Sequence, residues 1–200
     1  MVKEIAVATR NKDKIKEIRK ILKDLNVRIL ALGNFNNIPK IAEDGKTFEE
    51  NASKKARIIS NFTDRLTIAD DSGLEVEALG GRPGVKSSRF AGKKTDYAKN
   101  NAKLLRLLQG MPASKRKARF VCVISIAKNG RVLNVVRGTC RGSIGFETRG
   151  RTGFGYDPLF ISPEYGKTFA ELGPRIKNRI SHRYRALKKA KIVIKRLLDF

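Results

Sequence analysis

A strand followed directly by an amphipathic helix opens the chain and limits what it can fold into. Residues 3–9 (KEIAVAT) form a short apolar run typical of a β-strand, and in the following RNKDKIKEIRKILKDL isoleucine and leucine recur at helical spacing. Residues 27–32 (VRILAL) have the composition of a second strand. Strands and helices that alternate in this order are typical of α/β proteins, in which helices cover the faces of a sheet.

The later elements extend this pattern and add a hairpin. Residues 47–62 indicate a helix with Thr47 at its N-cap and Glu50 three positions later, which is the spacing of a capping box. Further along, the sequence predicts a helix over 95–109, a hairpin of 118–127 and 131–142 joined by KNG, and a long basic helix from about Asn178 onward. We therefore expect one α/β domain over residues 1–200, with a mixed twisted sheet, flanking helices and a groove along the bent sheet.

Two adjacent aspartates, Asp70 and Asp71, lie between the strand-like runs LTIA and GLEVEAL, and a tight Asp-Ser-Gly turn is predicted there. Nine of the 19 acidic residues fall in this part of a cationic chain: Glu43, Asp44, Glu49, Glu50, Asp64, Asp70, Asp71, Glu75 and Glu77. Carboxylates at a strand end can hold Mg²⁺ or transfer protons. The alternative is an Asp-rich turn without chemistry. Because adjacent strand residues point to opposite faces, one aspartate is expected in the site and the other in the turn.

The junction between the first strand and the first helix, ATRNKDK, is a candidate anion site. Backbone N–H groups and the helix dipole favour a phosphate there, and Thr9, Asn11 and Lys14 offer side-chain donors. No glycine precedes Lys14 in this segment, so it is not a Walker A loop. A polar N-cap without a ligand is the alternative.

Two segments near the C-terminus are candidates for ligand recognition. His182 is the only histidine and lies in NRISHRYRA, at the start of a cationic helix. Residues 154–158 (FGYDP) place two aromatic rings next to Asp157 after a glycine-rich run, and such rings can stack on a purine. A structural histidine and a turn packed by aromatic rings are the alternatives.

The charge attracts polyanions without choosing among them. The chain has 44 Lys and Arg against 19 Asp and Glu, a net charge of +25, and its densest basic runs, 113–119 and 188–196, are expected to be solvated faces. No nucleic-acid-binding motif is present, so any RNA association is expected to be weak and electrostatic. The longest apolar stretch, 120–127, is about eight residues and too short to span a membrane. Without a signal-peptide pattern, a cytoplasmic location is expected, and Cys122 and Cys140 are interpreted as core residues.

Six ordered motifs together resemble the inosine triphosphate pyrophosphatase family. They are TxNxxK at 9–14, EDGxTFEENAxxKA at 43–56, ADDSGLEVEALGGRPGV at 69–85, RFAG at 89–92, TGFGYDPLF at 152–160 and ISHR at 180–183. The resemblance spans residues 3 to about 198. It implies an elongated fold with two lobes around a central nucleotide-binding cleft, usually a cytoplasmic homodimer. The implied activity is hydrolysis of ITP, dITP and XTP to the nucleoside monophosphate and pyrophosphate, with Mg²⁺ as cofactor.

The same resemblance implies roles for individual residues. Asp71 matches the catalytic carboxylate, and Glu43 and Asp71 match the metal ligands. The positions that match substrate contacts are Thr9, Arg10, Asn11, Lys12, Asp13, Lys14, Lys55, Ser72, Phe154, Gly155, Tyr156, Asp157, Lys177, His182 and Arg183. A donor such as Arg183 would pair with the 6-keto group of hypoxanthine or xanthine and would be left unsatisfied by adenine.

The sequence departs from the family at Arg10, where Gly or Ser is common, and at Lys86, where an aromatic residue is common. A nucleic-acid-binding protein and a relative that cleaves modified pyrimidine triphosphates are the alternative functions.

Overall fold

The computed structural model describes residues 2–199. Their strands are β1 (Lys3–Val7), β2 (Val27–Ala31), β3 (Leu66–Val76), β4 (Lys117–Lys128), β5 (Arg131–Ile144) and β6 (Phe160–Ile161). Their α-helices are α1 (Lys12–Leu22), α2 (Phe48–Thr63), α3 (Tyr97–Leu107), α4 (Phe169–Ile180) and α5 (His182–Leu198). The strands hydrogen-bond in the order β2-β1-β3-β4-β5-β6. Strand β1 is parallel to β2 and β3, and β6 is antiparallel to β5, so the predicted mixed α/β sheet with flanking helices is confirmed.

Local signals in the sequence account for most element boundaries. Asn11 caps α1, and Thr47 caps α2 by accepting from the backbone N–H of Glu50 at 3.1 Å. The KNG hairpin turn has Asn129 at φ 49° and Gly130 at φ 70°, which is the left-handed pair that a two-residue hairpin turn requires. The helix predicted over 95–109 is α3, capped by Asp96.

The chain divides into two compact units, each built from separate segments. The described part of unit 1 covers residues 2–71, 122–138 and 183–199. Its main core joins strands β1, β3 and β4 with helices α1 and α5, and a second cluster packs Ala56 and Ile59 of α2 against the sheet. Apolar burial on this scale is the dominant stabilising term. The prediction of one domain stays a prediction.

Unit 2 covers residues 72–121 and 139–182. Its core contains Phe120, Phe160 and Phe169, with Phe120 4.5 Å from Phe160 and 5.9 Å from Phe169 between ring centroids. Such contacts between aromatic rings add to the stabilisation by apolar burial.

Arg116 of unit 2 departs from the prediction that the basic run 113–119 is a solvated face, whereas Lys115, Lys117 and Arg119 are exposed as expected. The side chain of Arg116 is buried, and its guanidinium donates to the carbonyl oxygens of Leu108, Ile144 and Gly145 at 2.7, 2.8 and 2.6 Å. A buried guanidinium needs several acceptors, and three main-chain carbonyls supply them here. A list of basic letters cannot show this, because two of the acceptors, Ile144 and Gly145, are 28 and 29 positions away at the end of β5.

Two other predictions differ from the structure. Strand β3 continues through Asp70 and Asp71 without the predicted turn, because cationic side chains from neighbouring elements pair with the buried carboxylates within an extended strand. The C-terminal basic helix begins at His182, and helix α4 precedes it across a break at Ser181. Helix α4 was not predicted because Gly173 and Pro174 interrupt it, and Gly173 has a non-helical φ of 70°. No α-helix of the described residues is both long and apolar enough to cross a membrane.

Candidate functional site

Two adjacent carboxylates on β3 form the centre of the candidate site in unit 1. Asp70 and Asp71 are 3% and 7% exposed, and their side chains point to opposite faces of the strand. Their carboxylates therefore have different direct partners, although Lys55 lies close to both residues. Ionised carboxylates at this depth require cations or hydrogen-bond donors.

Asp70 is held by cations from two helices. Its Oδ2 lies 3.0 Å from Lys14 Nζ of α1 and 3.3 Å from both Nε and Nη2 of Arg183 of α5. Burial alone would raise the pKa of Asp70, but Lys14, Arg183 and Lys55 outweigh burial and hold that pKa well below its usual range. Glu17 completes the group, with Oε2 2.5 Å from Nη1 of Arg183. Asp70 therefore stays ionised and anchors two residues that were predicted to bind substrate.

Asp71 lies beside Lys55 and Glu43. The Nζ atom of Lys55 is 2.7 Å from Glu43 Oε1, 2.8 Å from the carbonyl oxygen of Asp70 and 3.5 Å from Asp71 Oδ1. Burial lowers the pKa of Lys55, but Asp71 and Glu43 more than offset it, so the net shift is upward. The ammonium group thus stays charged and links the two carboxylates that the sequence predicted as metal ligands.

Helix α2 supplies both Lys55 and the support for Glu43. Asn51, one turn before Lys55, accepts from the backbone N–H of Gly45 at 2.8 Å, and its amide donates to the Gly45 carbonyl at 3.4 Å. The loop that carries Glu43 is thereby fixed to the helix that carries Lys55. This arrangement explains why the motif from Glu43 to Ala56 includes both a loop and a helix.

One oxygen of Asp71 has the character of an open ligand position. Among the described residues, Asp71 Oδ2 is buried and has no hydrogen-bond partner. Burial raises the pKa of Asp71, and the carboxylates of Glu43 and Asp70 add to this, against the lowering effect of Lys55 and Lys14. No cluster of three or more metal-ligating side chains occurs in residues 2–199. Two carboxylates with an unmet oxygen fit a hard cation that keeps waters and takes its other ligands from substrate phosphates.

The start of α1 has a polar N-cap at the junction that the sequence offered as a candidate anion site. Asn11 Oδ1 accepts from the backbone N–H groups of Asp13 and Lys14 at 2.9 and 3.2 Å, and Thr9 Oγ1 accepts from the backbone N–H of Asn11 at 3.2 Å. Thr9 and Asn11 therefore shape this turn, and Lys14 extends from it to Asp70. Arg10 and Lys12 are exposed.

The glycine-rich segment of unit 2 is organised by the buried carboxylate of Asp157. Its Oδ2 accepts from the backbone N–H of Phe154 at 2.9 Å and from Lys177 Nζ at 2.6 Å. The same ammonium lies 4.4 Å from the centroid of the Phe154 ring, a cation–π contact. Gly153 has φ +82°, and a Cβ there would lie 2.2 Å from Asp157 Oδ2, so only glycine fits.

Tyr156 and His182 are packed inside unit 2. The Tyr156 hydroxyl donates to the carbonyl of Ser87 at 2.9 Å, and burial raises the pKa of Tyr156. The His182 ring stacks on Phe120 at 4.6 Å with an interplanar angle of 15°. Ser72 is half-buried on β3.

The structure brings the predicted residues together as two groups. Unit 1 contains Lys14, Glu43, Lys55, Asp71 and Arg183, and unit 2 contains Phe154, Gly155, Tyr156, Asp157, Lys177 and His182. Sequence reasoning missed the ion-pair role of Asp70 and the part played by Glu17. Glu17 lies one turn after Lys14, but its partner Arg183 is 166 positions away, and no local pattern shows that pairing.

Known proteins resemble this chain over almost its whole length. The Ham1 family model matches residues 5–193. A dITP/XTP pyrophosphatase from Desulforamulus reducens is 52% identical over 195 residues, covering 97% of this chain and 96% of the relative. One from Geobacillus kaustophilus is 50% identical over 188 residues, covering 94% and 92%. The structure of a HAM1 protein from Coxiella burnetii has a TM-score of 0.89 at 41% identity, covering 98% of this chain and 100% of that one.

These matches include both the strand that carries the aspartates and the glycine-rich segment. They confirm the resemblance that the six motifs indicated. The chain belongs to the Ham1 family.

Proposed function

We propose that this protein hydrolyses non-canonical purine nucleoside triphosphates, namely ITP, dITP and XTP, to the nucleoside monophosphate and pyrophosphate. The observation that carries the proposal is the group formed by Glu43, Lys55 and Asp71, in which the buried Asp71 Oδ2 has no hydrogen-bond partner among residues 2–199. Two relatives whose sequences are 52% and 50% identical to this chain are named dITP/XTP pyrophosphatases, which supports this substrate class for the chain. A triphosphate needs charge compensation and an activated water, and this group can provide both.

The carboxylates of Glu43 and Asp71 would hold the metal ion, for which we propose Mg²⁺. When bound, such an ion neutralises phosphate oxygens and acidifies coordinated water. Asp71 accepts a proton from the attacking water while the water oxygen forms a bond to the α-phosphorus. The bond from the α-phosphorus to the bridging oxygen then breaks, and pyrophosphate leaves with that oxygen. The pKa of Asp71 is raised, mainly by burial, and a carboxylate with a higher pKa is a stronger proton acceptor.

The lysines of unit 1 stabilise the charge that develops on the departing pyrophosphate. Lys55 keeps its ammonium charged through Glu43 and Asp71, and Lys14 is oriented by Asp70. Because both cations are already placed by carboxylates, little reorganisation is needed during the reaction.

On the family resemblance, base contacts are proposed for Phe154, Asp157, Lys177 and His182 of unit 2 and, separately, for Arg183 of unit 1. Asp157 and Lys177 fix the Phe154 segment, whose ring can stack on a purine. Asp70 and Glu17 hold the Arg183 guanidinium in one orientation, as recognition of a 6-keto acceptor requires. Adenine presents a donor at that position and would be rejected by up to about 10⁴-fold.

A cytoplasmic homodimer is proposed on the family resemblance. Weak, salt-sensitive RNA association is proposed from the net charge of +25, as a secondary property of the enzyme.

A nucleotide panel tests the proposed function. The protein is incubated with Mg²⁺ and ITP, XTP, GTP, ATP, dUTP or dTTP, and released pyrophosphate is measured. The proposal predicts preferential release from ITP and XTP. Preferential turnover of dUTP would support the pyrimidine alternative, and no release from any nucleotide would refute the proposed activity.

A further inference from the structure

Helix α3 contacts the Phe154–Asp157 segment through one face. The ring of Tyr97, its first residue, lies 6.2 Å from the Phe154 ring between centroids, at an interplanar angle of 40°. Asn101 follows one turn later, and its Nδ2 donates to the carbonyl of Gly155 at 3.1 Å. Residues four apart lie on the same side of a helix, so the two contacts act on one short stretch of chain.

Asn101 has features that mark it as more than a packed core residue. It is 7% exposed, and its Oδ1 is buried without a hydrogen-bond partner among residues 2–199. An unmet buried acceptor is unfavourable and uncommon, so an apolar residue would serve stability better at this place. The hydrogen bond to Gly155 is thus the useful contribution of this amide.

The segment that Asn101 contacts needs external support. Gly153 and Gly155 have φ values of +82° and +66°. Glycine has no Cβ and adopts many other backbone conformations as easily, so these two residues do not fix the segment by themselves. Asp157 fixes one end of the segment through the backbone N–H of Phe154, while Asn101 fixes the carbonyl of Gly155. Tyr97 supplies a ring beside Phe154.

A neighbouring side chain extends this support. Asn100 donates to the carbonyls of Ser87 and Ser88 and accepts from the backbone N–H of Ala91. The Ser87 carbonyl also accepts from the hydroxyl of Tyr156, which belongs to the same segment. Helix α3 therefore reaches this segment directly through Tyr97 and Asn101 and indirectly through Asn100.

We propose that Asn101 and Tyr97 are positioning residues that hold Phe154–Asp157 in the conformation that binds the purine base. The inference rests on the proposed function, because it assumes that this segment contacts the base. Loss of either contact weakens base binding and leaves the phosphate chemistry of unit 1 intact. One hydrogen bond of this kind corresponds to a rise in KM for ITP of about three- to tenfold.

The test measures kcat and KM for ITP and the inhibition constant of inorganic triphosphate, a probe without a base. Asn101→Asp keeps the shape of the side chain and removes the N–H donor, and Asn101→Ala removes the amide. Tyr97→Ala removes the ring, whereas Tyr97→Phe keeps the ring and removes only the hydroxyl. Arg106→Ala is the matched control, since Arg106 is an exposed residue of the same helix. Circular dichroism melting follows the fold of each variant.

The proposal predicts a higher KM for ITP in both Asn101 variants and in Tyr97→Ala, with kcat within about twofold and an unchanged inhibition constant for triphosphate. Tyr97→Phe and Arg106→Ala should match the wild type. If the wild-type protein is active and the Asn101 variants keep its KM for ITP, the positioning role is overturned while the proposed function stands. A lower kcat, a higher KM and weaker inhibition by triphosphate, all by similar factors and with a lower melting temperature, also overturn the positioning role, because they indicate a general structural role. An inactive wild-type protein refutes the proposed function itself.

Discussion

Asp70 and Asp71 are chemically identical neighbours whose surroundings give them opposite properties. Asp70 faces Lys14 and Arg183, which lower its pKa, whereas Asp71 is buried near Glu43 and its pKa is raised. The first therefore stays charged as a structural anchor, and the second is the better proton acceptor. Two carboxylates with divergent pKa values are a common basis for divided roles in a site.

Substitution of Asp70 tests its anchoring role. Asp70→Asn leaves the half-buried Lys14 and the buried Arg183 without their shared carboxylate, and we expect a loss of about 3–5 kcal/mol in the free energy of unfolding at pH 7. Because folding lowers the pKa of Asp70, this stabilisation is fully present above the unfolded-state pKa of about 4 and is lost progressively as pH falls from there through the lower folded-state pKa. Urea unfolding at pH 7 and pH 3 should therefore show a smaller difference between wild type and variant at pH 3.

Asp24→Asn serves as the control for that comparison, because Asp24 pairs with Lys191 at the surface. An exposed ion pair contributes little, so this variant should unfold close to the wild type at both pH values. Equal unfolding midpoints for Asp70→Asn and wild type at pH 7 would contradict the anchoring role.

Among the elements, the Gly153–Asp157 segment depends on backbone conformation more than on its letters. Gly153→Ala forces a Cβ to within 2.2 Å of Asp157 Oδ2, whereas a Cβ at Gly155 meets no atom within 4 Å. Both positions have positive φ, so both alanine variants carry backbone strain of about 1–2 kcal/mol. Only Gly153→Ala also displaces the carboxylate that binds Phe154 and Lys177.

We therefore expect Gly153→Ala to raise the KM for ITP by at least about tenfold and to lower the melting temperature more, and Gly155→Ala to change both less. Steady-state kinetics and thermal melting of the two variants separate strain from displacement. Identical kinetics in both variants would show that the Asp157 contact does not organise the segment.

Sequence patterns predicted the elements whose signals are local. The cap at Thr47 and the Asn129-Gly130 turn are short-range features, and both are present. The prediction of a turn within β3 was wrong, because an Asp-Asp-Ser-Gly sequence favours a turn unless cations from distant parts of the chain pair with its carboxylates. Those cations include Arg183, which is 113 positions from Asp70. Pairings over such separations depend on topology, and single-sequence patterns do not contain them.

At the scale of the whole molecule, the net charge of +25 affects encounter with substrate more than the chemical step. A nucleoside triphosphate is a polyanion, and a cationic surface raises its capture rate. Raising NaCl from about 50 to 500 mM shortens the Debye length from about 14 to 4 Å and screens this attraction. We expect kcat/KM for ITP to fall several-fold over that range while kcat changes little. A constant kcat/KM would show that the surface charge has no part in substrate capture.

The role proposed for Asp71, beside Lys55 and Glu43, is that of the base in the hydrolysis. Its most direct test follows ITP, inosine monophosphate and pyrophosphate by ³¹P NMR with Mg²⁺, using wild type, Asp71→Asn and the exposed-carboxylate control Glu77→Gln, together with equilibrium binding of ITP. We expect wild type and Glu77→Gln to release pyrophosphate, and Asp71→Asn to bind ITP with turnover reduced by about 10²-fold or more. Wild-type turnover by Asp71→Asn would contradict the account.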